Sequence, residues 1–170
     1  LADGGSRDLA SKAQTLLERS RWPGKATDQD QEPEPEATPL TSEETAMFAM
    51  GKALYPATCG ACHQINGLGQ EGLAPPLLDS EWATGSSERA IRIVLQGVSG
   101  PIDVNGKTYN LLMPGLQTFN DEQLSALLTY VRREWGHTAS AITPEQVAAV
   151  RTATTGRQDM WSADELMAIE

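Results

Sequence analysis

No segment of this chain is basic. Its 170 residues carry a net charge of −10, and residues 1–40, 41–136 and 137–170 are each net acidic. That argues against a nucleic-acid partner, which would need clustered Lys and Arg to neutralise phosphates; acidity of this kind serves solubility. Runs of 18 or more apolar residues are also missing, so no membrane span is predicted. The opening residues lack the charged, apolar and cleavage-site sequence of a signal peptide. The chain begins at Leu1 rather than Met, which reads as a processed form or an excised piece of something longer. There is no internal repeat. What is present is ordinary for a soluble globular protein, with 39% hydrophobic and 21% charged residues. The length allows one domain of about 100–150 residues plus extensions.

Composition divides the chain. "SRDLASKAQTLLERSR" (6–21) has Leu9, Ala13, Leu16 and Leu17 on one helical face. "WPGKATDQDQEPEPEATPL" follows, rich in proline and acid and almost without apolar residues, a linker unable to bury a core. The reading is a helical remnant of a preceding domain (1–25), an acidic Pro-rich linker (26–40), a main domain (41–136) and a helical C-terminal extension (137–170). The main domain opens with a capping box, Thr41 with Glu44. Its first helix carries Met47, Phe48, Gly51, Leu54 and Tyr55 toward one side. A second helix is predicted over Ser87–Gln96, stopped by Gly97. "PIDVNGKTY" predicts a hairpin turning at Asn105-Gly106, a pair suited to a type I′ turn. A third helix starts at Asn120, with Leu124, Leu127, Leu128 and Val131 at helical spacing. Thr143-Pro144 and Ser162 with Glu165 mark two helix starts in the tail.

Only two cysteines and two histidines exist, and three of these four residues fall within "CGACH" (59–63). A redox Cys-x-x-Cys would normally follow a strand of a βαβ unit, yet here a helix precedes it. A zinc site needs two more ligands, and His137 is the only unused Cys or His. A structural disulfide would give His63 no task. The remaining reading is covalent haem attachment, whose signature is C-x-x-C-H. Cys59 and Cys62 then add to the two porphyrin vinyl groups, and His63 lies under the iron as its proximal ligand. Met47, Met50, Met113, Met160, Met167 and His137 are the candidates for a sixth ligand.

"GKALYPATCGACH" resembles the opening motif of the class I c-type cytochromes: Gly51, then an aromatic at Tyr55, then the attachment site. "LSALLTYV" resembles their closing helix, with Tyr130 at its aromatic position. The resemblance covers about 41–136 and is weaker over 64–100. It implies an all-α cytochrome c fold, a small helical domain wrapped around one covalent haem with one short β-hairpin. Gly51 would let the first and last helices cross closely, with Tyr55 and Tyr130 packed at the crossing. Met113 in "YNLLMPGL", read as a loop before the last helix, stands where the family places its methionine ligand; Pro114 would stiffen it. His137 is its rival. Pro75, twelve residues after His63, would accept a hydrogen bond from the proximal imidazole, with Pro76 or a plain turn as alternatives. Trp82 and Tyr109 are candidates to bond a haem propionate, or else core residues.

A His- and Met-ligated haem has no open position, so the resemblance implies one-electron transfer rather than substrate chemistry. A peroxidase or gas sensor would need a displaceable sixth ligand. "VNGKTYNLLMPG" and "REWGHTASAITPEQVAAVR" look like segments of cytochrome domains associated with bacterial periplasmic sugar and alcohol dehydrogenases. The expectation is therefore a tethered, extracytoplasmic electron-accepting domain, with a dehydrogenase as donor and a cytochrome or oxidase as acceptor. A freestanding shuttle is the second reading.

Overall fold

A computed structural model describes residues 38–169. The helix predicted over 6–21, and the linker as far as residue 37, lie outside the described residues. Thr41 caps helix α1 (Ser42–Leu54) reciprocally with Glu44: the Glu44 N–H donates to Thr41 Oγ1 at 3.2 Å and the Thr41 N–H to Glu44 Oε2 at 2.8 Å. These bonds satisfy two of the backbone donors that every helix start leaves free. Tyr55 lies just past the α-helix, in a 3₁₀ turn over Tyr55–Ala57.

Two very short helices follow that periodicity cannot reveal, α2 (Gly60–His63) and α3 (Glu81–Thr84). Helix α4 (Ser87–Gln96) ends at Gly97, whose φ of +83° only glycine adopts without strain. Helix α5 (Asp121–Arg133) starts from an Asn120–Gln123 capping box and buries Leu124, Leu127, Leu128 and Val131. It crosses α1 at Gly51. A Cβ there would stand 2.0 Å from the Ala126 carbonyl oxygen, so any other residue would force the helices apart. Tyr55 and Tyr130 pack at this crossing with ring centroids 5.1 Å apart, and Trp135 adds a third ring 5.6 Å from Tyr55. Tilted and edge-on contacts of this kind are the favoured aromatic geometries.

The hairpin turns where expected: Asn105 and Gly106 both have positive φ, 51° and 73°. It is longer than the sequence indicated. Strands β1 (Gly97–Val104) and β2 (Lys107–Pro114) pair in antiparallel register from Val104↔Lys107 out to Gly97↔Pro114. Met113 is therefore a strand residue opposite Val98, not a loop residue. The cause is Gly97, which passes from helix directly into strand, so β1 starts four residues before Pro101 and draws β2 out to match. Pro114 takes the last position of its strand, where a missing donor costs the ladder least.

The C-terminal extension folds onto this framework through α6 (Pro144–Ala153) and α7 (Ala163–Met167). Ile142 and Val147 join the core around α4 and α5, while Trp161 and Leu166 join a second cluster with Trp82, Val98 and Val104. Trp161 also adds a short parallel bridge to β1: its N–H donates to the Gly97 carbonyl at 3.0 Å and its carbonyl accepts from Ser99 N–H at 2.9 Å. No helix among the described residues is long and apolar enough to cross a membrane.

Candidate functional site

Between the two clusters lies a cavity enclosing about 1160 Å³ of empty space, including its mouth. Cys59, Cys62 and His63 form one wall, the hairpin with Met113 another, and Leu124, Leu127, Leu128 and Val131 of α5 close the back. The lining is almost wholly apolar.

The first wall is a local construction. Cys59 caps the four-residue α2, and the His63 N–H donates to the Cys59 carbonyl at 2.8 Å. Cys59, Cys62 and His63 thus stand at i, i+3 and i+4, on one helical face. The Tyr55 hydroxyl donates to the carbonyl of Gln64 at 2.8 Å, which pins the residue ending the turn. The loop beyond returns under His63. The Leu77 N–H donates to the Gly67 carbonyl at 2.7 Å, and the Gly69 N–H to the His63 carbonyl at 2.9 Å. Gly69 has a φ of +70°, and a Cβ on it would stand 2.5 Å from the Pro75 carbonyl oxygen. That close approach delivers the Pro75 oxygen to His63 Nδ1 at 2.8 Å. A carbonyl only accepts, so Nδ1 carries the proton and Nε2 keeps its lone pair.

Burial drives the His63 pKa below its ordinary value, against the opposing pull of the Pro75 carbonyl, so the imidazole is held neutral. Burial likewise raises the pKa of the Cys59 thiol, with the Thr58 hydroxyl opposing more weakly. Cys62 is exposed, and the two cysteines are not joined to each other.

Of the candidate sixth ligands, Met113 lines the cavity; Met47, Met50, Met160 and Met167 do not. His137 is buried elsewhere with both nitrogens engaged: Nδ1 donates to the Val131 carbonyl at 2.8 Å and Nε2 accepts from Asp79 N–H at 2.9 Å. It has no lone pair left for a metal. Trp82 lines the cavity, but its indole N–H is already donated to the Asp103 carbonyl at 2.6 Å. Its donor is therefore already spent. Tyr109 also lines the cavity, with the Lys107 ammonium 5.5 Å from its ring centre.

Sequence reasoning missed Arg132, buried at the end of α5 with its guanidinium on the Ala83, Gly85 and Ser140 carbonyls. A signal existed: Arg132 stands four residues past Leu128, on the apolar stripe of the helix. Gly69 was passed over because its role depends on Pro75, which the fold alone brings near.

Two thiols and a neutral imidazole on one helical face, a thioether among the other lining residues, and an apolar chamber among them fit a porphyrin bonded through its edge and ligated through its iron. These are the parts of a covalent haem-binding protein. A family model described as cytochrome c matches residues 48–135, and the chain belongs to the cytochrome c family. Its cofactor is haem c, attached through Cys59 and Cys62, and the domain is an electron carrier with redox proteins as partners. The chain is 32% identical over 125 residues to cytochrome c-552 of Thermus thermophilus, covering 61% of this chain and 95% of that protein. It is 30% identical over 121 residues to the gluconate 2-dehydrogenase cytochrome c subunit of Pantoea cypripedii, covering 67% of this chain and 26% of that subunit. A similar match links it to the fructose dehydrogenase cytochrome subunit of Gluconobacter japonicus: 30% over 109 residues, 59% of this chain and 22% of that subunit.

Proposed function

We propose that the haem is ligated by His63 and Met113 and serves as the one-electron acceptor of a larger extracytoplasmic dehydrogenase assembly. The observation that carries the ligation is the exclusion of His137, whose two nitrogens are both spent, together with Met113 on the cavity wall. Bound haem supplies reversible one-electron chemistry. The residues around it hold a neutral imidazole in one tautomer through Pro75, exclude water with the α5 leucines, and present the thioether of Met113 from a paired strand. Trp82 and Tyr109 contribute lining.

The dehydrogenase context draws on the two cytochrome subunits, each far longer than the matched stretch. Residues 1–25 as the end of a preceding domain, with 26–40 as a tether, agree with it. Haem c attachment in bacteria takes place outside the cytoplasm, which makes the periplasm the expected compartment. The match covering 95% of cytochrome c-552 supports the second reading, a freestanding shuttle.

Native gels of extract from the source organism separate the two. A haem-staining band that coincides with sugar- or alcohol-oxidising activity supports the tethered acceptor. A haem band that runs apart from any such activity supports the shuttle.

A further inference from the structure

Arg132 is 3% exposed, and every acceptor around its guanidinium is neutral. Nε donates to the Ser140 carbonyl at 2.8 Å, Nη1 to the carbonyls of Ala83 and Gly85 at 2.9 Å each, and Nη2 reaches Ser140 Oγ at 3.4 Å. No ion pair among the described residues includes it. A buried charge without a counter-ion is expensive and is normally paired or displaced. Burial alone holds its pKa below the ordinary arginine value, and an arginine there stays protonated.

Its position gives the charge a target. Ala83, whose carbonyl it grips, lines the haem cavity, and so does its helix neighbour Val131. The guanidinium therefore sits one layer of protein behind the cavity wall, in a low-dielectric setting where charges act strongly on each other. When one electron passes from a reduced partner into the cavity, the charge there falls by one. A fixed cation nearby stabilises that state relative to the oxidised one.

We propose that Arg132 is an uncompensated buried cation that biases the haem toward its reduced form and so raises the reduction potential. The inference rests on haem occupying the cavity bounded by Cys59, Cys62 and His63. The rival role is that of a fastener, joining α5 to the turn after α3 and to the segment at Ser140, and the same hydrogen bonds would serve it. Charge and fastening must therefore be separated.

Potentiometric titration of the holo-protein at pH 6, followed by its visible spectrum, makes the separation. R132Q is expected to lower the reduced-to-oxidised ratio at fixed ambient potential by about tenfold, which is 59 mV for a one-electron couple. R132K, which keeps the charge and loses the fork, should stay within about twofold of the unsubstituted protein. Ser140→Asp sets a carboxylate beside the guanidinium and should fall severalfold below Ser140→Asn. An unchanged ratio in R132Q, or equal falls in R132K and R132Q, overturns the proposal. If R132Q yields no holo-protein, the Ser140 pair decides: a lower ratio in S140D supports it and equal ratios overturn it. A five-coordinate spectrum of the unsubstituted protein would sink the His63–Met113 reading on its own, separately from the ordering of these potentials.

Discussion

On the His63 side of the cavity, the hydrogen bonds that fix the imidazole and its turn all come from residues 55–78. On the Met113 side the same task draws on residues 97, 98, 113 and 161, gathered from the end of a helix, two strands and the tail. The first side closes loops of a few to a dozen residues; the second must bring together positions as much as 64 apart. Loop closure costs more as its span grows, and the contacts that hold it form late. The His63 wall is thus expected to persist through disturbances that release Met113.

The largest break in that comparison is Met113→Ala. The covalent haem and His63 should remain, so the intact mass after denaturation still exceeds the polypeptide by one haem. The iron should lose its sixth ligand, bind carbon monoxide rapidly in the ferrous state, and drop in potential by a sizeable part of the roughly 0.8 V that axial ligands command. Unchanged ligation in the variant would remove Met113 from the role. Unsubstituted protein should be low-spin in both oxidation states and slow to bind carbon monoxide, as a carrier rather than a sensor or peroxidase.

Next in size is Trp161→Ala. The indole is 8% exposed, donates to Gln96 Oε1 at 3.1 Å, and has the guanidinium groups of Arg92 and Arg157 over its ring, 5.1 and 3.5 Å from the ring centre. Truncating a buried tryptophan typically costs about 3–5 kcal/mol, which denaturant unfolding will measure. The comparison adds a direction: carbon monoxide binding should quicken, because β1 loses packing behind Met113, while the His63 wall keeps its haem. Equal loosening of both walls would show that the tail supports the domain uniformly.

The same contrast explains what could be read in the sequence. Cys59, Cys62 and His63 share a face because of spacing alone, Asn105-Gly106 specifies its own turn, and the caps at Thr41, Asn120, Thr143 and Ser162 are four-residue patterns. Each is local chemistry, and each was legible. The strand status of Met113 was not, because it depends on how far the ladder runs from the turn, which Gly97 sets. The indole proton of Trp82 was not, because its acceptor, Asp103, is 21 residues away. Nor was the docking of the tail, whose apolar residues meet partners far away in the sequence.

Smaller in effect is Gly69→Ala, which tests the His63 wall. The positive φ and the 2.5 Å approach to the Pro75 oxygen both resist a side chain. Strain of this kind costs on the order of 1–3 kcal/mol. Shifting Pro75 should also weaken its hold on Nδ1 and so alter the imidazole's basicity as a ligand. A moved potential with Met113 still bound is the expected signature; a stability loss with no change of potential would show that Pro75 does not tune His63.

The smallest effect is expected at the far end of the tail, where α7 begins. Ser162 caps it: the Glu165 N–H donates to Ser162 Oγ at 3.3 Å, and the Ser162 N–H donates back to Glu165 Oε2 at 2.9 Å. Ser162→Ala should cost about 1 kcal/mol, the usual worth of an N-cap, and leave the haem spectrum unchanged. The Ser162 N–H, and after it Arg157, hold the Glu165 carboxyl below its ordinary pKa. A carboxylate whose folded pKa is depressed contributes stability that is fully present above the unfolded value, about 4.3 for Glu, and is lost as pH falls through the lower folded value. Denaturant midpoints of the two proteins should therefore differ most near neutrality and draw together toward acid, as protonation of Glu165 removes the bond it accepts from the Ser162 hydroxyl, which only the unsubstituted protein has. A gap that stays constant down to acid pH would mean that the Ser162 hydroxyl acts alone, without its reciprocal partner.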